Sequence, residues 1–165
     1  QGSHFRSRRA APQKGGDLGG RMKNAFMDAF AEGYEKVLLV GSDIPDLPTG
    51  FCREAFLALL DHDVVVGPSK DGGYYLIGFR KTGFTADVFA DIAWSSQQVR
   101  ERTLEILKRN GLSVHLLPIL QDIDDVSDLA DFIGRHAGKE NCGTAPCTRS
   151  FLDRIRQLIE PGDAS

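Results

Sequence analysis

The chain has 165 residues, with 20 Lys+Arg against 23 Asp+Glu and 41% hydrophobic content. That length supports one domain with a real core and leaves no room for a second full one. No apolar run approaches the ~20 residues that span a bilayer, and a pI near 5.8 excludes a globally basic nucleic-acid binder. Three cysteines do not make a disulfide framework, so a reducing, cytoplasmic setting is expected.

The predicted elements follow in chain order. Gln1-Gly2-Ser3-His4 reads as the remnant of a cleavage site and linker, and residues 1–12 as that scar plus a basic, disordered arm. A single domain is expected over 13–160, with 161–165 as a tail. The first 23 residues carry six basic side chains and one acid, Asp17, a balance that attracts phosphate. Leu18, Met22, Ala25, Phe26, Ala29 and Phe30 recur at helical spacing, and Gly33 is placed to end that helix. Val37–Gly41 reads as a fully buried strand, and Phe51, Ala55, Phe56, Leu59 and Leu60 define the next helix. Strands are predicted at Asp63–Gly67 and Gly73–Phe79.

A helix should follow Ser95 as its cap, with Val99, Thr103, Ile106 and Leu107 inward and Gly111 as its stop. Ser113–Leu120 reads as a fourth strand, ending at Gln121–Asp131, which holds five acids and no base. Leu129, Phe132 and Ile133 mark one further helix, and Phe151, Leu152, Ile155, Leu158 and Ile159 the last. Strands alternating with helices predict α/β architecture with a mostly parallel sheet. Ligands in such sheets sit beyond the carboxyl ends of the strands, which selects the acids to consider.

Asp43 and Asp46 lie where the first strand runs out. Mg²⁺ takes hard oxygen ligands, and a carboxylate held by a rigid strand suits it. Asp43 is the first choice, with a turn residue as the alternative reading, whereas Asp46 reads at least as well as a helix-start residue ahead of Pro48. The Asp-x-Asp pair Asp122/Asp124 places two side chains on one face of an extended segment and can complete a metal site; the competing reading is solvated acids beside a helix cap. In Gly67–Tyr75, two glycines let backbone amides approach a ligand, and Asp71 can accept from a hydroxyl, or the segment is a plain Asp-Gly turn. Arg21 offers a fork of donors to a phosphate, or is a surface helix residue. Trp94 can stack on a ring, or simply pack. A zinc site from His136, Cys142 and Cys147 lacks a fourth ligand and is set aside. Cys52 reads as a small core residue, and His62 and His115 have no assignment.

Five segments in order carry a resemblance: Gln13–Met22, Leu39–Leu47 with its Gly41-Ser42-Asp43, Gly67–Gly78 with its Asp71-Gly72-Gly73-Tyr74, Ile92–Ser96 around Trp94, and Asp122–Asp125. Together they resemble the radical-SAM/selenodomain-associated transferase 1 family of the nucleotide-diphospho-sugar transferase (GT-A) superfamily. The resemblance implies a three-layer GT-A-like α/β fold and a transferase, glycosyl or nucleotidyl, acting on a nucleotide or nucleotide-sugar and a small acceptor. It implies Mg²⁺ or Mn²⁺ held by Asp43 and Asp124. Asp71 is then the best-placed general base. Asp46, Gly72, Gly73, Tyr74 and Trp94 would line the substrate, and Arg21 would take phosphate, with Asp17 and Arg21 matching a glycine-rich segment ahead of the first helix.

Two departures stand out. Asp125-Val126 replaces a Thr-Pro pair, and the strand and basic glycine loop with which these transferases begin have no counterpart before Gln13. The expectation is therefore an amino-terminally truncated domain with an uncovered edge beside Val37–Gly41, and a homodimer that shields it. The rival reading is a catalytically inactive interaction module. No nucleic-acid or membrane partner is expected.

Overall fold

The computed structural model describes residues 12–42, 44, 47–94, 96–123, 128, 129, 132 and 134. Among these, helix α1 (Leu18–Ala31) leads into β1 (Lys36–Val40), α2 (Thr49–Ala58), β2 (Val64–Pro68) and β3 (Tyr74–Arg80). Short 3-10 turns at Lys81–Gly83 and Ala86–Phe89 precede α3 (Val99–Arg109) and β4 (Val114–Leu116). No described helix is long and apolar enough to cross a membrane.

The four strands form one sheet in the order β1-β3-β2-β4. β1, β2 and β4 run the same way, and β3 lies between β1 and β2, antiparallel to both. That reversal refines the expectation of a mostly parallel sheet. The link from Pro68 to Tyr74 is far too short for a crossover, which needs about a dozen residues, so β2 and β3 must form a hairpin.

Apolar side chains fill both faces. On one, Phe26 and Phe30 of α1 and Ile106 and Leu107 of α3 pack on Val64, Val66, Ile77 and Phe79. Phe26 is fully buried, with the Phe79, Phe84 and Phe89 rings centred 5.1, 5.6 and 5.8 Å away. On the other face Ala55 of α2 and Leu59, which caps its end, cover Val65, Leu76 and Leu117. The alternation Val64/Val66 against Val65 is the period-2 signature of a sheet buried on both sides.

Several boundaries differ from the sequence expectation. β1 is only half-buried and its Val40 is exposed, because it borders the sheet among the described residues. Phe56 of α2 and Leu60, just beyond its end, are exposed. β4 stops at Leu116; beyond it a lone bridge pairs Ser69 with Leu120. α1 begins one residue after Asp17, whose Oδ1 accepts from the Gly20 N–H at 2.7 Å, so Asp17 caps the helix and Arg21 lies within its first turn rather than ahead of it. α3 starts at Val99, four residues beyond Ser95, with Gln98 as its N-cap and no side-chain cap. Gly33 and Gly111 end their helices as expected, at φ +93° and +68°.

Candidate active site

The carboxyl ends of β1 and β2, the first turns of α1 and the segment around Trp94 enclose a cavity of about 450 Å³. Of the residues singled out from sequence, Arg21, Asp71, Gly73, Tyr74 and Trp94 all line it. Asp122 of the Asp122/Asp124 pair lines it as well, and so do Ser69 and Tyr75, which had been assigned no role in the site. Gly72 is buried beneath the loop instead. Asp43, Asp46 and Asp124, together with His136, Cys142 and Cys147, lie outside the described residues. In sequence, Ser42, which lines the cavity, immediately precedes Asp43.

The loop between β2 and β3 is built on its own hydrogen bonds. Asp71 Oδ1 accepts from the Ser69 hydroxyl and from the Gly73 N–H, the latter at 2.8 Å. This is the Asx-turn chemistry that favours Asp before Gly-Gly. Gly72 sits at φ +94°, and a Cβ there would lie 2.1 Å from the Gln97 carbonyl oxygen. Only glycine lets the loop press this closely on the start of α3. The contact has a purpose in the helix: the Arg100 N–H donates to Gly72 O at 3.0 Å, and Arg100 Nη1 donates to Ser69 O at 3.3 Å. The loop thus supplies the cap that Gln98 lacks, which is why α3 begins where it does.

A β-bulge aims the two tyrosines. The β2–β3 register shifts between Gly67 and Pro68, pairing Gly67 with Leu76 and Pro68 with Tyr74 and leaving Tyr75 as the extra residue. Without it, strict alternation would put Tyr74 on the Leu76 face and Tyr75 with Ile77. Instead Tyr74 packs with the α1/α3 cluster and Tyr75 with the α2 cluster. Tyr75 donates to Pro118 O at 3.0 Å, and burial, with Glu54 and Cys52 nearby, pushes its hydroxyl up to about 12.

Burial drives the Tyr74 hydroxyl well above the ordinary phenol range, and the neighbouring Thr103 hydroxyl offsets only part of that. Neither hydroxyl makes a hydrogen bond of good geometry among the described residues. Tyr74 therefore stays protonated at neutral pH and offers the cavity an aromatic surface. Trp94 meets it edge-on at 6.4 Å and stacks on Phe89 at 6.3 Å. Gly19 makes room for that indole, since a Cβ there would lie 2.8 Å from Trp94 Nε1. Packing and cavity-lining thus coincide at Trp94.

Among the described residues the cavity carries one guanidinium, Arg21, and two carboxylates, Asp71 and Asp122. Carboxylate oxygens are donors that Mg²⁺ and Mn²⁺ accept, so the donor chemistry fits a divalent cation. Among the described residues alone, no group of three or more His, Cys, Asp or Glu is arranged to hold a metal. Elsewhere, the His62 and His115 rings lie 5.3 Å apart and His115 Nε2 is 3.6 Å from Glu54 Oε1, remote from this chemistry.

A family model described as an uncharacterized protein conserved in bacteria (DUF2064) matches residues 2–96, more than half of the chain. The chain belongs to the DUF2064 family. This family match covers α1, β1, α2, the hairpin and Trp94, and so most of the cavity wall. A crystal structure from Desulfovibrio desulfuricans G20, whose protein carries the provisional name nucleotide-diphospho-sugar transferase, is similar at 40% identity with a TM-score of 0.81, over 89% of this chain and 62% of that one. The fold is therefore that of a nucleotide-diphospho-sugar transferase. The 2-phospho-L-lactate guanylyltransferase of Methanothermobacter thermautotrophicus (strain Delta H) is 26% identical over 159 residues, 90% of this chain and 61% of its own length. The DUF2064 chain spans about three fifths of each of these relatives.

Proposed function

We propose that the cavity binds a nucleotide-activated substrate with a divalent cation and transfers its activated group to a small acceptor, as a glycosyl- or nucleotidyltransferase. The observation that carries this reading is the meeting of Arg21, Asp71, Tyr74 and Trp94 around one cavity at the carboxyl ends of β1 and β2. That is where ligands bind in α/β sheets of this kind. The names of the two relatives, one a nucleotide-diphospho-sugar transferase and the other a guanylyltransferase, support the same class. In this proposal the protein is a member of the radical-SAM/selenodomain-associated transferase branch.

Each residue then has a part. Arg21 takes a phosphate with its planar fork of donors. The Tyr74 and Trp94 rings flank the base or sugar. Gly73 lets the loop backbone come close, and Asp71 accepts from a ligand hydroxyl, making it the candidate base for the acceptor. Asp43 and Asp124 are assigned to Mg²⁺ or Mn²⁺, a choice supported by Ser42 and Asp122, their near neighbours in sequence, both lining the cavity. A bound cation there supplies charge neutralisation on the diphosphate.

Product analysis tests the reading. The chain is incubated with Mn²⁺ or Mg²⁺ and either GTP plus 2-phospho-L-lactate or nucleotide-sugars plus a hydroxyl acceptor. Pyrophosphate release marks nucleotidyl transfer and nucleoside diphosphate release marks glycosyl transfer. Metal-dependent release of either supports the class, and release of neither across the panel overturns it.

A second reading has its own observation. β1 borders the sheet among the described residues, and the backbone groups along the outer side of an apolar border strand invite pairing. We propose that it pairs with a second copy as a homodimer. Light scattering that returns a monomer at every concentration would refute this.

A further inference from the structure

We propose that Ser69 is the positioning residue that holds Asp71 to receive a ligand hydroxyl in the cavity. This deepens the transferase reading and rests on it for the identity of the ligand.

Ser69 is 3% exposed, at the point where β2 gives way to the loop. Its backbone is tied on every side. Its N–H donates to Gly73 O at 3.2 Å, its carbonyl accepts from Gly72 N at 3.4 Å and from Arg100 Nη1 at 3.3 Å, and it bridges to Leu120. It is thereby fixed to β3, α3 and the segment after β4 at once. Asp71 is exposed and has no such frame of its own.

The Ser69 hydroxyl connects the two. Its single proton goes to Asp71 Oδ1, which also takes the Gly73 N–H at 2.8 Å. With Oδ1 occupied by two donors and the carboxylate held at both contacts, one oxygen is left. Oδ2 makes no hydrogen bond among the described residues. A carboxylate oxygen is acceptor-only when ionised, so what it takes from the cavity is a donor: a hydroxyl rather than a phosphate. The anionic part of a ligand falls to Arg21 and the hydroxyl-bearing part to Asp71. Pinning a carboxylate by a neighbour that is itself rigid is how an exposed acid keeps one geometry.

The experiment uses the full chain as wild type, Ser69→Ala, Asp71→Ala and the double variant, with two readouts. The first needs no ligand: hydrogen exchange at the Gly73 amide, whose acceptor is Asp71. Loss of the Ser69 contact is expected to speed it about tenfold, and an unchanged rate in Ser69→Ala overturns the proposal. The second is the dissociation constant of GTP or UDP-glucose with Mn²⁺, read from the emission of Trp94. Ser69→Ala is expected to weaken binding about tenfold in the wild-type background and to have no further effect beside Asp71→Ala. Equal losses in both backgrounds mean a merely structural role and overturn it. A wild type that binds neither probe overturns the nucleotide reading and the ligand half of this proposal, while Gly73 exchange still decides whether Ser69 holds Asp71.

Discussion

The two ends of the sheet use the same pair of residue types for different purposes. At the amino end of β2, Asp63 and Ser113 grip each other. Asp63 Oδ2 accepts from the Ser113 N–H at 3.0 Å and its hydroxyl at 2.6 Å, and the Asp63 N–H donates back to Ser113 Oγ at 3.0 Å. Gly83 closes over the pair, a Cβ there lying 2.6 Å from Asp63 Cβ. At the carboxyl end, Ser69 and Asp71 also bond, but the acid keeps one oxygen uncommitted on the wall of a 450 Å³ cavity. One end spends its acid on fastening β2 to β4; the other holds its acid ready for a ligand. An Asp–Ser pair signals function only when its fold leaves it an opening.

Four changes break or sharpen that contrast. Gly72→Ala should have the largest effect. Its left-handed φ and a backbone oxygen 2.1 Å from the new Cβ force the loop off α3, costing roughly 2–3 kcal/mol in urea unfolding and abolishing ligand binding. Asp63→Ala should cost about 2 kcal/mol through its charge-assisted bonds, yet leave nucleotide affinity within about twofold, because the closed end is remote from the cavity.

Acid should separate the ends as well. The hydrogen bonds from Ser113 hold the Asp63 carboxyl below its ordinary value, with smaller help from Arg80 and His62. A depressed carboxylate contributes stability that is present above its unfolded pKa of about 3.9 and is lost as pH falls through the lower folded value. Urea midpoints measured from pH 5 downward should therefore drop more steeply below about pH 4 in wild type than in Asp63→Ala. Tyr74→Phe is the smallest change. It removes a buried hydroxyl without a well-formed partner, so stability should stay within about 0.5 kcal/mol of wild type or rise slightly by thermal unfolding.

Much of the fold was legible because its signals are local. Phe26 and Phe30 stand at helical spacing, Gly33 and Gly111 end helices, and Val64–Val66 form an uninterrupted apolar run. The antiparallel sense of β3 was missed, because alternation of strands and helices pointed toward parallel pairing, although the shortness of the 69–73 link carried the signal. The start of α3 was not legible, because its cap is the Gly72 carbonyl from a distant loop rather than Ser95. The exposure of Val40 also depends on sheet order, which periodicity does not encode.

At the site, Asp71, Gly73, Tyr74, Trp94 and Arg21 converge as their positions at element ends suggested. Tyr74 faces that side only because a bulge reverses the pleat, and a bulge leaves no mark in the residue pattern. Ser69 escaped notice because a serine beside a turn reads as solvated until burial shows otherwise. The spacing Ser-x-Asp-x-Gly was the available signal, since it matches the two donors that Asp71 Oδ1 receives.

Trp94 gives the most direct test, being the single tryptophan of the chain and part of the cavity wall. Titrating GTP and UDP-glucose in the presence of Mn²⁺ while following its emission reads occupancy of the cavity itself. The account predicts a saturable change for at least one nucleotide, weakened about tenfold or more by Asp71→Ala and unaffected by Asp63→Ala. Emission that stays flat for both ligands, or a response that Asp71→Ala leaves intact, would contradict it.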